Sequence, residues 1–116
     1  MQHVGYGGST ARKEAQVQVS VTGRHVEITD GIREHVYRKL RRELDDFPRI
    51  TSVHVILAVE KHRHIAEVVA QAPPHIRVEA EADKENLYLA IDAAIEKVAR
   101  QLRRQMEKLH DYRVRQ

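Results

Sequence analysis

The 116-residue sequence contains no cysteine and no tryptophan, and it has only one phenylalanine and four tyrosines. The absence of cysteine excludes disulfides, thiolate zinc ligands and cysteine nucleophiles. The scarcity of aromatic residues disfavours a surface that stacks many unpaired nucleobases, because such a surface needs exposed rings. No apolar run approaches the ~18 residues that a membrane-spanning helix needs, and the N-terminus lacks the apolar stretch of a secretory signal. We therefore expect a cytoplasmic protein with no membrane partner.

The chain also lacks the residue patterns of enzymes and metal sites. None of its three serines stands in a nucleophile elbow, and no glycine-rich segment is followed by the Lys-Ser/Thr of a phosphate loop. Among the eight histidines, His62 and His64 form the closest pair, but no third ligand is evident and the flanking Lys61 and Arg63 would repel a cation. We predict no enzymatic activity, no cofactor, no metal site and no small-molecule substrate.

Charge is unevenly distributed along the chain. The net charge is only +3, but residues 33–42 carry +4, residues 52–92 carry −3 and residues 97–115 carry +5. Two basic segments thus flank a mildly acidic middle. Such segregation points to a polyanionic partner more strongly than the net charge does.

Alternating apolar and polar residues predict four strands, and a 3.6-residue apolar period predicts two helices. The first helix follows Thr29 as N-cap and ends before Pro48, and the second runs from the N-cap Asn86 to about His110. His35 and His54 are expected to be polar surface or boundary residues. The strands are predicted at residues 16–23, 52–61, 65–71 and 76–82.

The predicted element order is β-α-β-β-β-α, which indicates the α+β class. Three consecutive strands form an antiparallel meander, and the connection through the first helix favours a parallel pairing of the first strand. With one apolar face per strand and one apolar stripe per helix, the economical arrangement places both helices on one face of a four-stranded sheet. We predict one domain at residues 15–110, a flexible N-terminal arm at 1–14 and a short C-terminal tail at 111–116.

Basic residues recur at helical spacing in both helices. Lys97, Arg100, Arg104 and Lys108 are three, four and four residues apart, which aligns them along one side of the second helix. On the first helix Arg38 and Arg42 are one turn apart, so adjacent helices would merge into one broad basic face. Few aromatic residues and no helix-turn-helix or zinc-finger spacing favour folded RNA over DNA, recognised through phosphate and ribose. The alternative interpretation is an ordinary solvated helix surface.

Several segments resemble one known family. Residues 21–33 (VTGRHVEITDGIR) are similar to the opening strand, loop and helix of the ribosome hibernation promoting factor and ribosome-associated inhibitor family. Val59-Glu-Lys61 matches the end of its second strand. Leu87-Tyr-Leu-Ala-Ile-Asp92, with Lys97, Arg100-Gln-Leu102 and Lys108-Leu109, matches its last helix. The resemblance extends from about residue 16 to residue 110.

The resemblance implies a fold similar to double-stranded RNA-binding domains. It also implies binding to ribosomal RNA in the small-subunit channel for messenger and transfer RNA, where occupancy stops translation in starved or stationary cells. Carried over by position, the residues expected to contact ribosomal RNA are Arg33, Lys39 and Arg42 on the first helix and Lys97, Arg100, Arg104 and Lys108 on the second.

The sequence departs from the family pattern at three places. Met106 stands where relatives are often basic, Asn86 stands where an acidic residue is common, and the N-terminal arm is atypical. The chain resembles the short form, and we expect the hibernation-promoting kind, which pairs ribosomes with a helper protein. Two alternatives stay open: a general double-stranded RNA-binding module, and a protein-interaction domain that pairs through a strand edge.

Overall fold

The computed structural model of the protein describes residues 17–115, with side chains for residues 17–109. The predicted arm at residues 1–14 lies outside the described residues. The α+β class and the predicted element order are confirmed. The elements are β1 (Gln18–Arg24), α1 (Asp30–Leu44), β2 (Ser52–Glu60), β3 (Arg63–Ala72), β4 (Ile76–Lys84) and α2 (Leu87–Arg115).

The four strands form one mixed sheet in the order β1-β2-β3-β4. β1 runs parallel to β2, with Val19 opposite Val53 and Val21 opposite Val55. The β2–β3 and β3–β4 pairs are antiparallel. The parallel pair follows from α1, because a crossover helix returns the chain to the end of the sheet from which β1 started.

The core lies between one face of the sheet and the two helices. The alternating residues Val53, Val55 and Leu57 of β2 are almost fully buried on this inner face. The predicted apolar stripe of α1 is buried against them, as is the stripe of α2 from Leu87 to Leu102. Each fully buried Val, Leu or Ile contributes about 1.5–3 kcal/mol relative to an exposed one, so this inner face is the main source of stability.

Both predicted helix caps are present. The Thr29 hydroxyl accepts a hydrogen bond from the Ile32 amide at 3.1 Å, and the Asn86 side-chain oxygen accepts one from the Leu89 amide at 3.0 Å. Each cap satisfies a backbone donor that the first turn of a helix cannot pair internally. The caps therefore set where each helix starts.

The second helix is longer than predicted. It continues to Arg115, past the expected end near His110, and so includes most of the segment expected to be a tail. No glycine or proline occurs in this segment, so no residue there breaks the helix. Although α2 contains 29 residues, no helix in the described part of the chain has the apolar length needed to cross a membrane.

The β2–β3 connection is shorter than the predicted four residues. Glu60 pairs with Arg63, which leaves a turn of only Lys61 and His62. Lys61 has a φ of 55°, in the left-handed region that tight hairpin turns use. The polar residues at the strand ends still join the ladder through their backbones, although their side chains carry no apolar pattern.

We predict that Gly23→Ala destabilises the protein by about 1–3 kcal/mol. An added Cβ at Gly23 would lie 2.3 Å from the carbonyl oxygen of Val26, so the backbone would have to shift. Gly31→Ala is the matched control, because its Cβ would meet nothing closer than the Tyr88 hydroxyl at 3.5 Å. Alanine is also the better helix former at Gly31. Urea unfolding midpoints measure both, and a Gly23→Ala midpoint equal to that of wild type would contradict the prediction.

Candidate RNA-binding face

The two helices lie side by side and run in the same direction. His35 Nε2 lies 2.8 Å from Asp92 Oδ1, and one turn further along both helices Lys39 Nζ lies 2.8 Å from Glu96 Oε2. Since both pairs join residues 57 positions apart, the contacts advance in step along α1 and α2. The outer surfaces of the helices therefore face solvent together, on the side away from the sheet.

The contact line between the helices is a polar seam. Lys39 is at its centre, with its ammonium 2.8 Å from Glu96 and 3.2 Å from Glu43. The Lys39 side chain is only 12% exposed. Burial lowers the pKa of Lys39, but hydrogen bonds and charge from Glu96 and Glu43 outweigh it, so this pKa lies above its usual 10.5. The seam consists of His35, Lys39, Glu43, Asp92 and Glu96.

The seam interrupts the basic face that the sequence predicts. Its three carboxylates exceed its one ammonium, so negative charge separates the basic surfaces of the two helices. The expectation of one merged basic face is therefore wrong in this detail. Asp92 and Glu96 are on the side of α2 that faces α1, and sequence spacing within α2 does not reveal which side that is.

The basic side of α2 forms a continuous ridge. Its four cations are all exposed and, at about 100° per residue, lie within roughly 80° of arc around the helix. They line a shallow groove together with Gln101 and Gln105, and no carboxylate lines this groove. The α2 ridge consists of Lys97, Arg100, Arg104 and Lys108.

The α2 ridge is attached to the edge of the sheet. The Lys97 ammonium donates a hydrogen bond to the backbone oxygen of Glu81 at 2.8 Å, and the Gln101 amide donates one to the backbone oxygen of Glu79 at 2.9 Å. Glu79 and Glu81 belong to the edge strand β4, whose outward carbonyls would otherwise be open to a pairing strand. Occupied carbonyls make β4 a poor site for the strand-edge pairing that remained an alternative.

The predicted residues of α1 do not share one surface. Arg42 is exposed and lies about 60° around the helix from Lys39, whereas Arg33 is half-buried and lies about 160° from His35, which faces α2. Arg42 and the exposed Arg38 thus border the outer surface near α2. Arg33 lies on the opposite flank of α1, and Lys39 is engaged in the seam.

Sequence reasoning missed the role of His35. Expected to be a surface or boundary residue, it is hydrogen-bonded to Asp92 and packs edge-to-face on the Tyr88 ring at a centroid distance of 4.9 Å. No local pattern marks this contact, because its partners are on the other helix. His54 is exposed, as expected, and its Nδ1 lies 2.6 Å from the Ser20 hydroxyl.

The histidine pair considered for a metal site is split between two environments. His62 is exposed in the β2–β3 turn, whereas His64 is half-buried on β3 with its Nδ1 buried and unpaired. Within residues 17–109, histidine and carboxylate side chains nowhere gather in a group of three that could hold a metal ion.

We predict that Lys39→Met lowers the free energy of unfolding by about 1 kcal/mol, because Glu43 and Glu96 lose their shared cation. Arg38→Met is the matched control, since Arg38 is exposed on the same helix. Because the folded-state pKa of Lys39 is raised, its contribution is present below about pH 10.5 and is lost as pH rises through the folded value. Urea titrations at pH 7 and above pH 10.5 test both statements, and an equal effect of the two variants at pH 7 would refute the seam's role.

Comparison with known proteins identifies the family of this chain. Residues 19–110 match the family described as Sigma 54 modulation protein / S30EA ribosomal protein. The Ribosome hibernation promoting factor of Pseudomonas putida is 42% identical over 92 residues, covering 79% of this chain and 89% of that protein. The Salmonella typhimurium protein of the same name is 39% identical over 99 residues, covering 83% of this chain and 100% of that protein.

Solved structures show the same fold. A ribosomal subunit interface protein from Coxiella burnetii has a TM-score of 0.72 at 25% identity, with 77% of this chain and 97% of that chain covered. The N-terminal domain of Protein Y from Thermus thermophilus has a TM-score of 0.67 at 34% identity, with 73% and 93% covered. The family resemblance noted from the sequence is confirmed. The chain belongs to the Sigma 54 modulation protein / S30EA ribosomal protein family.

Proposed function

We propose that this protein is a ribosome hibernation factor that binds ribosomal RNA of the small subunit through the outer surface of its helices. The observation that carries the proposal is the α2 ridge, which lines an acid-free groove on this fold. The names of its relatives, ribosome hibernation promoting factor and ribosomal subunit interface protein, support the ribosome as the partner.

The α2 ridge suits recognition of RNA shape. Lys97 and Lys108 are eleven residues apart, or about 16 Å along the helix, and over this length guanidinium and ammonium groups can contact several phosphates. Gln101 and Gln105 add amide groups that can reach ribose hydroxyls. The helix is fixed by its buried stripe and by the Lys97 and Gln101 bonds to β4, so RNA meets a preorganised surface.

The proposed mechanism is steric occlusion without catalysis. A folded domain with α2 about 43 Å long, held in the channel between head and body of the small subunit, leaves no room for messenger and transfer RNA. Translation stops while the domain is bound and resumes when it leaves. Such a factor acts in the cytoplasm of starved or stationary-phase cells, and we propose that it favours inactive paired ribosomes together with a helper protein.

We predict that the double variant Arg100→Glu with Arg104→Glu lowers the affinity for isolated small subunits roughly 100-fold. Each of its two substitutions removes one charge-assisted phosphate contact. Thermal stability should be nearly unchanged, since both residues are exposed. The matched control is Arg49→Glu with Lys61→Glu, which makes the same charge change in exposed turns. Sedimentation through a gradient measures binding, and undiminished association of the ridge variant would count against the site.

The same assay separates occlusion from general duplex binding. Occlusion predicts that wild-type protein pellets with empty subunits and is displaced when messenger and initiator transfer RNA fill the channel. A general double-stranded RNA-binding module predicts instead that any long RNA duplex competes equally well. Since phosphate contacts release counterions, the affinity should fall steeply between low and moderate salt. Failure to pellet even at low salt would overturn the ribosome as partner.

On α1 we predict that Arg42→Glu weakens subunit binding more than Arg33→Glu, by at least about threefold. Arg42 borders the outer surface near α2, whereas Arg33 lies on the opposite flank. The pair is internally matched, because both variants make the same charge reversal on one helix. An equal loss for both would show that RNA also reaches the flank of α1.

A further inference from the structure

The sheet has a second face, opposite the helices, that no helix or strand of the described residues covers. Pairing registers place the alternate residues of β2, β3 and β4 on this side, because the intervening residues point into the core. We call this surface the outer sheet face. On β2, β3 and β4 it carries the apolar Ile56, Ile65 and Val69, the acids Glu67, Glu79, Glu81 and Asp83, and the bases Arg63 and Arg77.

Two carboxylates meet across β3 and the edge strand β4 on the outer sheet face. Glu67 is directly opposite Glu81 in the antiparallel register, and like charges in this position repel each other. In the described residues no side chain hydrogen-bonds or forms a salt bridge with either carboxylate, although Arg63 attracts Glu81 electrostatically. The neighbouring Glu79 pairs with Arg77, and Asp83 pairs with Arg63. This face thus carries two adjacent carboxylates without a salt-bridge partner among the described residues, on β3 and the edge strand β4.

Apolar side chains flank Glu67, whereas Glu81 lies between Glu79 and Asp83. Ile56 is opposite Glu67 on β2, and Ile65 and Val69 precede and follow Glu67 on the same side of β3. Ile56 and Ile65 remain partly exposed. A partner that fits this surface would therefore carry both positive charge and apolar side chains. Carboxylates without apolar neighbours would need no more than counterions from solution.

The spacing of the acids matches an extended peptide. Alternate residues along a strand, such as Glu79, Glu81 and Asp83, are about 7 Å apart, which is also the distance between alternate side chains of an extended partner segment. A segment with lysine or arginine at every second position could therefore place one cation beside Glu81 and exchange with the exposed Arg77 and Arg63 at Glu79 and Asp83, because exposed ion pairs are weak. The intervening residues of such a segment could then face Ile56 or Ile65.

We propose that the outer sheet face binds a lysine- and arginine-rich segment of a protein belonging to the same ribonucleoprotein particle. This inference rests on the proposed function, in which the opposite, helical side faces ribosomal RNA. RNA is excluded from the outer sheet face because its phosphates are repelled by Glu67 and Glu81. Proteins that share an RNA surface are themselves basic, so they complement an acidic face that points away from the RNA.

The test compares two double variants with equal charge change. Glu67→Gln with Glu81→Gln neutralises the facing pair, and Asp46→Asn with Glu85→Gln neutralises two exposed carboxylates in turns. Removing like-charge repulsion should leave the melting temperature of the first variant equal to or above that of wild type. Its affinity for intact small subunits should fall about tenfold relative to the control variant, while its affinity for protein-free ribosomal RNA should match that of the control.

The outcomes separate this inference from the proposed function. If wild-type protein fails to bind intact subunits, the proposed function falls and the inference falls with it. If wild type binds and the two variants bind intact subunits equally, only the inference is overturned. The inference is also overturned if Glu67→Gln with Glu81→Gln lowers the affinity for protein-free RNA and the control variant does not, because the outer sheet face would then contact RNA.

A crosslinking measurement provides a second, independent readout. A photoreactive benzoylphenylalanine placed at Ile65 should crosslink on intact subunits to a protein, at a peptide rich in lysine and arginine. The same group placed at Arg104, on the α2 ridge, should crosslink to ribosomal RNA. Crosslinking of the Ile65 derivative to RNA, or to no component while the Arg104 derivative reacts, would overturn the inference.

Discussion

Both amphipathic helices bury their apolar stripes on the same face of the sheet, and the location of nearly every functional charge depends on this constraint. Because α1 and α2 share one core with β2 and β3, their polar sides must point outward together. The sheet is left with one face that carries no helix of the described residues. The protein thus has two chemically different sides, one basic and helical and the other acidic and partly apolar.

The seam joins these helical surfaces at matched positions along both helices. Lys39 joins Glu43 and Glu96 across the two helices, and His35 joins Asp92 one turn earlier. Apolar packing alone allows helices to slide by small steps, whereas discrete charged pairs specify one register. Lys39, which the family resemblance assigned to RNA contact, has its charge committed inside the protein. Its proposed contribution to RNA binding is to hold the surfaces that flank it.

In the two proposals, the α2 ridge contacts RNA and the outer sheet face contacts a basic protein segment. The α2 ridge offers exposed cations in an acid-free groove, and it is braced on β4 through Lys97 and Gln101. The same strand presents the acids Glu79 and Glu81 on the outer sheet face. One edge of the fold therefore holds a cationic surface close to an anionic surface, on different sides of the sheet.

Much of this architecture could be predicted from local patterns. Alternation revealed the strands, the 3.6-residue period revealed the helices, and Thr29 and Asn86 marked both caps. The α2 ridge was also predictable, because its members are on one helix and spacing within a helix sets the face. The ends of β3 and α2 were less predictable. In β3 the backbone pairing extends beyond the apolar pattern, and in α2 the helix continues beyond it without interruption.

By itself, then, the sequence determined the elements, their order and the alignment of Lys97, Arg100, Arg104 and Lys108. Each of these depends only on residues close by along the chain, about one or two turns of a helix or two residues of a strand. Tertiary structure alone decided that Lys39 is paired, that Arg33 and Arg42 face different ways relative to α2, and that Glu67 opposes Glu81. Each of these depends on which side of one element meets another. That choice is made by burial of the shared core, and no spacing along the chain encodes it directly.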